Sequence, residues 1–495
     1  MRPITSTGVR RSALPTPADL QRRAAELLGS LPSHQATQHP PLALEQPNPA
    51  SSAPPQPRDS GYPACPACPG TPWSVPWGLP AAALHGLAGT VVRTIAPHTE
   101  AHPAAILLQL LAAFGNLVGR GPHCMVDATR HGLNLFVVLV GDSSKARKGT
   151  SWSQIARLFA EVDHPWLSTC VTRARLTASG LVYALRVQQP PTDRRLLALS
   201  EEFASILYGL KRAQGHLSPL LRSAWDSGHL PTLDMHQHLQ ATGTHTSLIA
   251  HITQRELAQN LHRTEAHNGF ANRCLWTWVQ RSNCLPEGGN LDANELSAIA
   301  REMRRALDWA AATPEILFRR DDAARELWQD RYPVLSQLRP GLRGAATSRA
   351  EAQVLRLSAI YAALDCSPVV GLPHLQAALA VWDYCSASAS LLFGDSTGDP
   401  IADRIREALE TSSKGLSKNQ IRALFHGHVY CDRIDAALEQ LMMMDAVSCH
   451  SEPTGGRPST LWSAIAAPGQ EENEASEADA DELVTQEERW SDPQK

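Results

Sequence analysis

The apolar and polar positions along this chain fall into blocks of different period. Phe136 to Val140 is an uninterrupted aliphatic run, the pattern of a strand buried on both faces of a parallel sheet. Short apolar runs recur at His123 to Ala128, Arg194 to Phe203, Thr246 to Thr253 and Cys274 to Gln280, and helical spacing fills Ala81 to Ile95, Pro103 to Val118, Trp152 to Glu161 and Ser218 to Gly228. That alternation predicts an α/β core over residues 76–295 with a mostly parallel sheet flanked by helices. Glu295 to Ala311, Asp321 to Gln337, Thr347 to Leu364 and Leu372 to Leu392 are all helical in period, which predicts a helical subdomain over 296–395. Between Pro400 and Ala464 three helices are expected, at Asp403 to Glu410, after the Ser417 cap, and at Asp432 to Met444, followed by strands at Ala446 to His450 and Ser459 to Trp462. Three helices and a hairpin predict a winged helix at 400–465.

Both ends of the sequence carry a different composition. Residues 1–75 are dominated by Pro, Ser, Gln and Ala, which bury too little apolar surface to offset the entropy of ordering. One short helix is expected there, capped by Thr16 and Pro17 with Leu20, Leu27, Leu28 and Leu31 on one face. The arm is also the candidate contact for replication proteins. The segment 466–495 is acidic and predicts a solvating tail.

With 495 residues and a formal net charge of -4, the chain has no global basic field, so any nucleic-acid surface must be local. The ten cysteines are scattered apart from Cys65 and Cys68, a half-set for zinc with no second C-x-x-C. Scattered cysteines, the absence of an apolar core behind the arginines of Met1 to Arg11, and a most apolar helix too short for a bilayer predict a cytoplasmic protein without a membrane partner.

The chemistry concentrates after the first buried strand. Gly141, Asp142, Ser143, Ser144, Lys145, Ala146, Arg147, Lys148, Gly149, Thr150 and Ser151 form a small, basic, hydroxyl-rich turn between a strand and a helix, which is what a phosphate-binding loop needs. The fit to Gly-x-x-x-x-Gly-Lys-Ser/Thr is imperfect, since Gly149 follows the lysine. Lys148 is the expected contact to β- and γ-phosphates, Lys145 the second choice, and Thr150 or Ser151 the hydroxyl for magnesium. A basic turn without a ligand is the alternative. Glu201 and Glu202 close the Arg194 to Phe203 run, Glu201 expected at the metal and Glu202 at the attacking water, or the reverse. His251 or Thr253 at the next strand's tip is the expected γ-phosphate sensor, and Arg273 the arginine that stabilises the transition state, its own site's or a neighbour's. Arg349 and Arg356 share a helix face as lid candidates. In the C-terminal unit Lys414, Lys418, Arg422 and Arg457 are the expected DNA phosphate contacts, because the third helix is acidic at Asp432, Asp435 and Glu439. His426, His428 and Cys431 have metal-like spacing only.

Five of these stretches, Gly141 to Trp152, Leu199 to Phe203, Ala224 to Gly228, Ile249 to Thr253 and Gly269 to Arg273, together resemble a bacterial and phage family. It is a domain-of-unknown-function family of RecA-like P-loop ATPases, found in primase-helicase-like proteins of phages, plasmids and other mobile elements. The similarity spans about residues 80 to 390. It implies a RecA-like core that binds ATP and Mg2+, assembles as a homo-oligomer, handles single-stranded DNA and serves a helicase or replication role. The proline-rich arm does not read as a primase module, so priming is not implied. A nucleotide-binding, DNA-binding regulator or replication initiator without turnover is the alternative.

Overall fold

The computed structural model describes residues 78–465, except 143, 187–192, 212–215, 232–239, 262, 314, 395, 398, 413, 445 and 453–458. The proline-rich arm with Cys65 and Cys68, Ser143, Arg457 and the acidic tail lie outside the described residues.

Five strands build the central sheet: β1 Phe136–Val140, β2 Val171–Thr172, β3 Arg195–Ser200, β4 His245–Ile252 and β5 Cys274–Trp278. All pair in parallel, in the order β2-β3-β4-β1-β5. Parallel pairing explains the unbroken apolar runs, since both faces of β1 are covered. Phe136, Val138 and Val140 enter one hydrophobic core and Val137 and Leu139 the other. The connection leaving β1 runs toward β2, past β4 and β3, whereas the one leaving β4 runs the opposite way, past β1 to β5. Neighbouring strands whose connections diverge leave a crevice at their C-terminal ends, where α/β proteins hold ligands. This α/β architecture, a five-stranded parallel sheet flanked by helices, is compatible with a RecA-like core.

The first core is built by α1 Pro103–Leu117 and α2 Lys148–Val162. Apart from Pro103 itself, every residue of α1 is buried, so its polar members must be bonded: Asn116 donates to Leu196 O and His245 O, both at 3.1 Å. Helix α2 buries Trp152, Ile155, Leu158, Phe159 and Val162, one helical stripe, against that core. The second core holds α3 Phe203–Leu210 and α4 Leu217–Asp226. Helix α4 stops at Gly228, whose φ is +66° and whose added Cβ would sit 2.3 Å from Thr244 O, so only glycine serves there. A short α5, Gln254–Asn260, follows β4.

The helices expected as a subdomain belong to these same two layers, which corrects that boundary. Ala293–Ala312 (α6), Ala350–Leu364 (α7) and Leu372–Phe393 (α8) place Met303, Val354, Ile360 and Leu375 in the core that holds α1 and α2. Helix α8 continues into the second core through Ala389 and Phe393. It covers edge strand β5, with Tyr384 Oη donating to Trp278 O at 2.8 Å, which protects an otherwise open sheet edge. The helical periodicity was right; a helix that buries all its sides packs into a larger core rather than forming a layer of its own.

The last described unit has its own core of Ile405, Leu409, Ile421, Ile434, Leu438 and Leu441. Its helices are α9 Pro400–Glu410, α10 Lys418–Ala423 and α11 Cys431–Met443. Strands β6 Leu416–Ser417, β7 Val447–Glu452 and β8 Ser459–Ala464 form an antiparallel sheet in the order β6-β8-β7. Among the described residues, no helix is long and apolar enough to cross a membrane.

Candidate functional site at the C-terminal edge of the sheet

The turn after β1 is shaped by three constraints. Gly141 N donates to Ile252 O of β4 at 3.2 Å, and Val279 N donates to Val140 O at 2.8 Å, so the chain leaves β1 wedged between its neighbours. A Cβ on Gly141 would lie 2.4 Å from Val279 O and 2.7 Å from the Ala146 Cβ, which excludes any larger residue. A short 3-10 turn, Ser144–Ala146, then leads to Arg147, which adopts the left-handed backbone at φ +54° as the N-cap of α2. Arg147 stands immediately before the lysine, where the standard motif has its second glycine. A left-handed backbone is uncommon for any residue but glycine. Its cost is offset by an ion pair, Arg147 Nε to Glu100 Oε2 at 2.6 Å. Glu100 also accepts from Leu285 N at 2.9 Å and lies 3.5 Å from Arg281 Nη1. The Leu285 N–H, followed by the two arginines, holds the Glu100 carboxyl below its ordinary value despite the opposing effect of burial.

Lys148 is the first residue of α2, and its Nζ folds back to donate to Gly141 O at 3.0 Å. Burial lowers its pKa, opposed by the charges of Asp142 and Glu256. Those two carboxylates were not singled out for this role by the sequence; Asp142 lies within the loop, and Glu256 is in the first turn of α5, just beyond β4. His251, on β4 in register with Leu139, is only 3% exposed, and its Nε2 has no hydrogen-bond partner among the described residues. Burial, then the Lys148 charge, push it down to about 3, so at neutral pH it offers a hydrogen bond and no charge. Helix N-terminus, lysine and an unpartnered imidazole thus meet at the divergent pair β1 and β4, an arrangement suited to an anion.

Other expected residues have other occupations. Ser151 is buried; its hydroxyl meets Gln109 Nε2 at 2.5 Å and donates to Lys148 O at 2.6 Å, so it locks α2 to α1. Thr150 is exposed on the first turn of α2, Lys145 is exposed in the loop and Ala146 is buried beneath it. Thr253 caps α5: its hydroxyl accepts from Glu256 N at 3.2 Å and donates to Glu256 Oε2 at 2.9 Å, leaving His251 as the residue beside Lys148.

Glu201 and Glu202 are exposed at the same edge of the sheet, beyond β3. Strand β4 separates β3 from β1, an offset of about 10 Å at two strand spacings. Glu201 pairs with Arg173 at 3.6 Å, and both carboxylates line a cavity of about 770 Å³ with Arg173, Arg175 and Tyr208, without Lys148. Glu201, the carboxylate expected at magnesium, thus stands two strand spacings from the Lys148 loop and is paired with Arg173, and Gly149 occupies the position directly after the lysine, where the motif has its hydroxyl.

Arg273 is corrected as a same-chain contact to phosphate. It precedes β5 and so lies at the N-terminal edge, about 16 Å from the loop across five strand residues. There it is 5% exposed and forked onto Asp226, with Nη2 to Oδ2 at 2.5 Å and Nε to Oδ1 at 3.2 Å. Arg349 reaches the same Asp226 at 3.4 Å. Arg356 is fully buried over the Trp225 ring and donates to Asn134 O and Oδ1, both at 2.8 Å, and to Trp225 O at 2.9 Å. Both lid candidates are therefore ties at the far edge.

In the C-terminal unit Lys414 and Arg422 are exposed, whereas Lys418 Nζ is 2.5 Å from Asp435 Oδ1 of the acidic third helix, which corrects it as an open phosphate contact. His426, His428 and Cys431 do not converge. Among the described residues the single three-member cluster with metal-ligating atoms close together is His85, Asp365 and His374. Gly371 N donates to His374 Nδ1 at 3.0 Å, so the neutral ring carries its proton on Nε2 and donates toward Asp365 at 3.4 Å. Metal-bound histidines usually donate from the second nitrogen; this ring accepts there, and the cluster is a carboxylate tied between two imidazoles.

No protein-family model matches the chain, and no curated protein matches it at a significant level.

Proposed function

We propose that this chain is an ATP-binding, DNA-associated protein of the helicase or replication type, with the phosphates held at the Lys148 loop. The observation that carries the reading is Lys148 at the start of α2 beside the unpartnered Nε2 of His251, at the C-terminal ends of β1 and β4. The likeness of five stretches to RecA-like ATPases of mobile elements supports the same ligand. In this reading Lys148 leaves Gly141 O for the β- and γ-phosphates, the α2 N–H groups face them, and His251 donates to the terminal phosphate. Glu202 positions the attacking water from the C-terminal end of β3, across the tip of β4. A second copy contributes the missing cation, since no arginine of the N-terminal edge reaches the loop. The three helices and three-stranded sheet at 400–465 are read as a winged helix that contacts duplex DNA through exposed Lys414 and Arg422.

A second reading is favoured by Gly149 at the hydroxyl position and by the β4 strand between Lys148 and Glu202: nucleotide binding without turnover, in a DNA-binding regulator. The deciding experiment is ATP binding and hydrolysis by the full chain, with and without single-stranded DNA, beside Lys148→Ala and Glu202→Gln. DNA-stimulated turnover lost in both variants supports the motor. Binding lost in Lys148→Ala, with no turnover in the unchanged protein, supports the regulator. Absence of ATP binding overturns both.

A further inference from the structure

A second cavity, of about 700 Å³, lies at the other edge of the sheet, lined among others by His131, Arg320, Trp328, Tyr332, Arg349 and Glu351. We infer that this cavity is a binding site for a phosphorylated nucleoside, its phosphate on Arg320 and Arg349 and its base against Trp328 and Tyr332. The site lies where the hairpin of His123–Val126 and Thr129–Gly132, the Arg319–Arg320 segment and the first turn of α7 meet. Nothing in the Lys148 loop takes part.

Arg320 gives the strongest indication. Its Nε and Nη2 are buried and have no hydrogen-bond partner among the described residues, while its guanidinium carbon lies 4.0 Å from the centre of the Trp328 ring. A planar cation fixed on an indole with its donors unused is prepared for an oxyanion, because unmet donors in a partly dry site cost stability until a ligand satisfies them. Burial is the main influence on this guanidinium, and no carboxylate is prominent around it. Arg349 adds a second cation; Asp226 at 3.4 Å engages it, but Asp226 is shared with Arg273. His131 has a buried Nδ1 without a partner, and burial followed by the Arg356 charge push it down to about 4, so it contributes a neutral polar group. Glu351 is the opposing charge on the lining.

The apolar part of the lining selects the rest of the ligand. Tyr332 is 47% exposed and meets Trp328 edge-on, with ring centres 5.5 Å apart, and Met125 and Val126 are 43% and 46% exposed beside them. An exposed aromatic face beside unused guanidinium donors matches a base joined to a phosphate. The volume is that of a pocket for a small organic ligand. A free nucleotide and a nucleotide unit of single-stranded DNA offer the same chemistry. The strand form deepens the DNA association proposed above and rests on it; the free form does not.

The test measures anisotropy of a fluorescein-labelled oligothymidylate and of a fluorescent AMP on the full chain in a Lys148→Ala background, so that the loop adds nothing. Arg320→Ala and Tyr332→Ala are each expected to weaken the probe that binds by about tenfold, with Arg320→Lys intermediate. Because Tyr332 is half-exposed, its variant remains informative even if Arg320→Ala unfolds, which circular dichroism reports. Binding of the oligonucleotide alone assigns a strand site, and binding of AMP alone assigns a mononucleotide site while removing this support for DNA association. If neither probe binds, or if both variants bind as the parent does, the inference is overturned.

Discussion

The arginine cluster around Asp226 and Trp225 at one edge of the central sheet and the Lys148 loop at the other handle charge in opposite ways. At the N-terminal edge, Arg273 and Arg356 are buried and tied to the fold: one is forked onto Asp226, the other makes three bonds to Asn134 and Trp225 through its two terminal nitrogens. At the C-terminal edge, Lys148 holds a backbone carbonyl, His251 Nε2 is unpartnered, and Glu201 and Glu202 stand exposed. Buried charges bonded to backbone and carboxylate partners fix a structure, whereas polar groups left with capacity in a crevice are those a ligand completes. The arginines that resemble catalytic ones in sequence are thus the structural set.

That contrast is broken most forcefully at Arg356. Replacing it with Met leaves Asn134 O and Oδ1 buried and unmet, and a loss of roughly 3 kcal/mol or more in urea unfolding is expected. Unchanged stability would mean that the N-terminal edge is not the structural one. Gly141→Ala comes next: a Cβ against Val279 O should cost about 1–3 kcal/mol and disturb the loop, read as a lower melting temperature together with weaker ATP binding. Lys148→Ala separates the edges most cleanly. Its stability should stay within about 1 kcal/mol of the parent, while any ATP turnover falls about a hundredfold; equal loss of both would make Lys148 a structural residue.

Acid sharpens the comparison further. Burial pushes His251 and His245 down to about 3 and His102 to about 4, so the unfolded chain takes up protons that the folded chain refuses. The stability from these neutral rings is complete above the unfolded imidazole value of about 6.5 and is lost as pH falls from there toward 3 to 4. Melting temperature should drop between pH 7 and 5, and His251→Gln should make that drop shallower. A pH-independent melting curve across this interval would contradict neutral buried histidines. The smallest effect is expected at Lys418→Ala, an exposed pair with Asp435, which should shift stability by no more than about 0.5 kcal/mol.

Much of this could be read in advance, for physical reasons that differ by element. Four sheet strands were legible because burial on both faces demands unbroken apolar runs, as at Phe136 to Val140. Strand β2 was not, since Val171–Thr172 is too short to carry a period. Arg273 was misplaced although its position contained the answer: a residue that precedes a parallel strand lies at the edge opposite to one that follows it. Glu256 was missed because its relation to Lys148 is set by the approach of the β1 and β4 tips, not by spacing along the chain.

The sequence by itself determined the alternation of buried strands with helices, the glycine and lysine of the turn after β1, and the helices and hairpin strands that follow Pro400. Period and steric demand act on neighbouring residues and are written locally. The tertiary structure alone decided the strand order, the merging of the 296–395 helices into the sheet's two cores, the pairing of Arg147 with Glu100 and of Arg273 with Asp226, and which polar atoms were left unmet. Those depend on which surfaces meet after the chain has folded back on itself, and a partner 47 residues away leaves no mark on the local pattern.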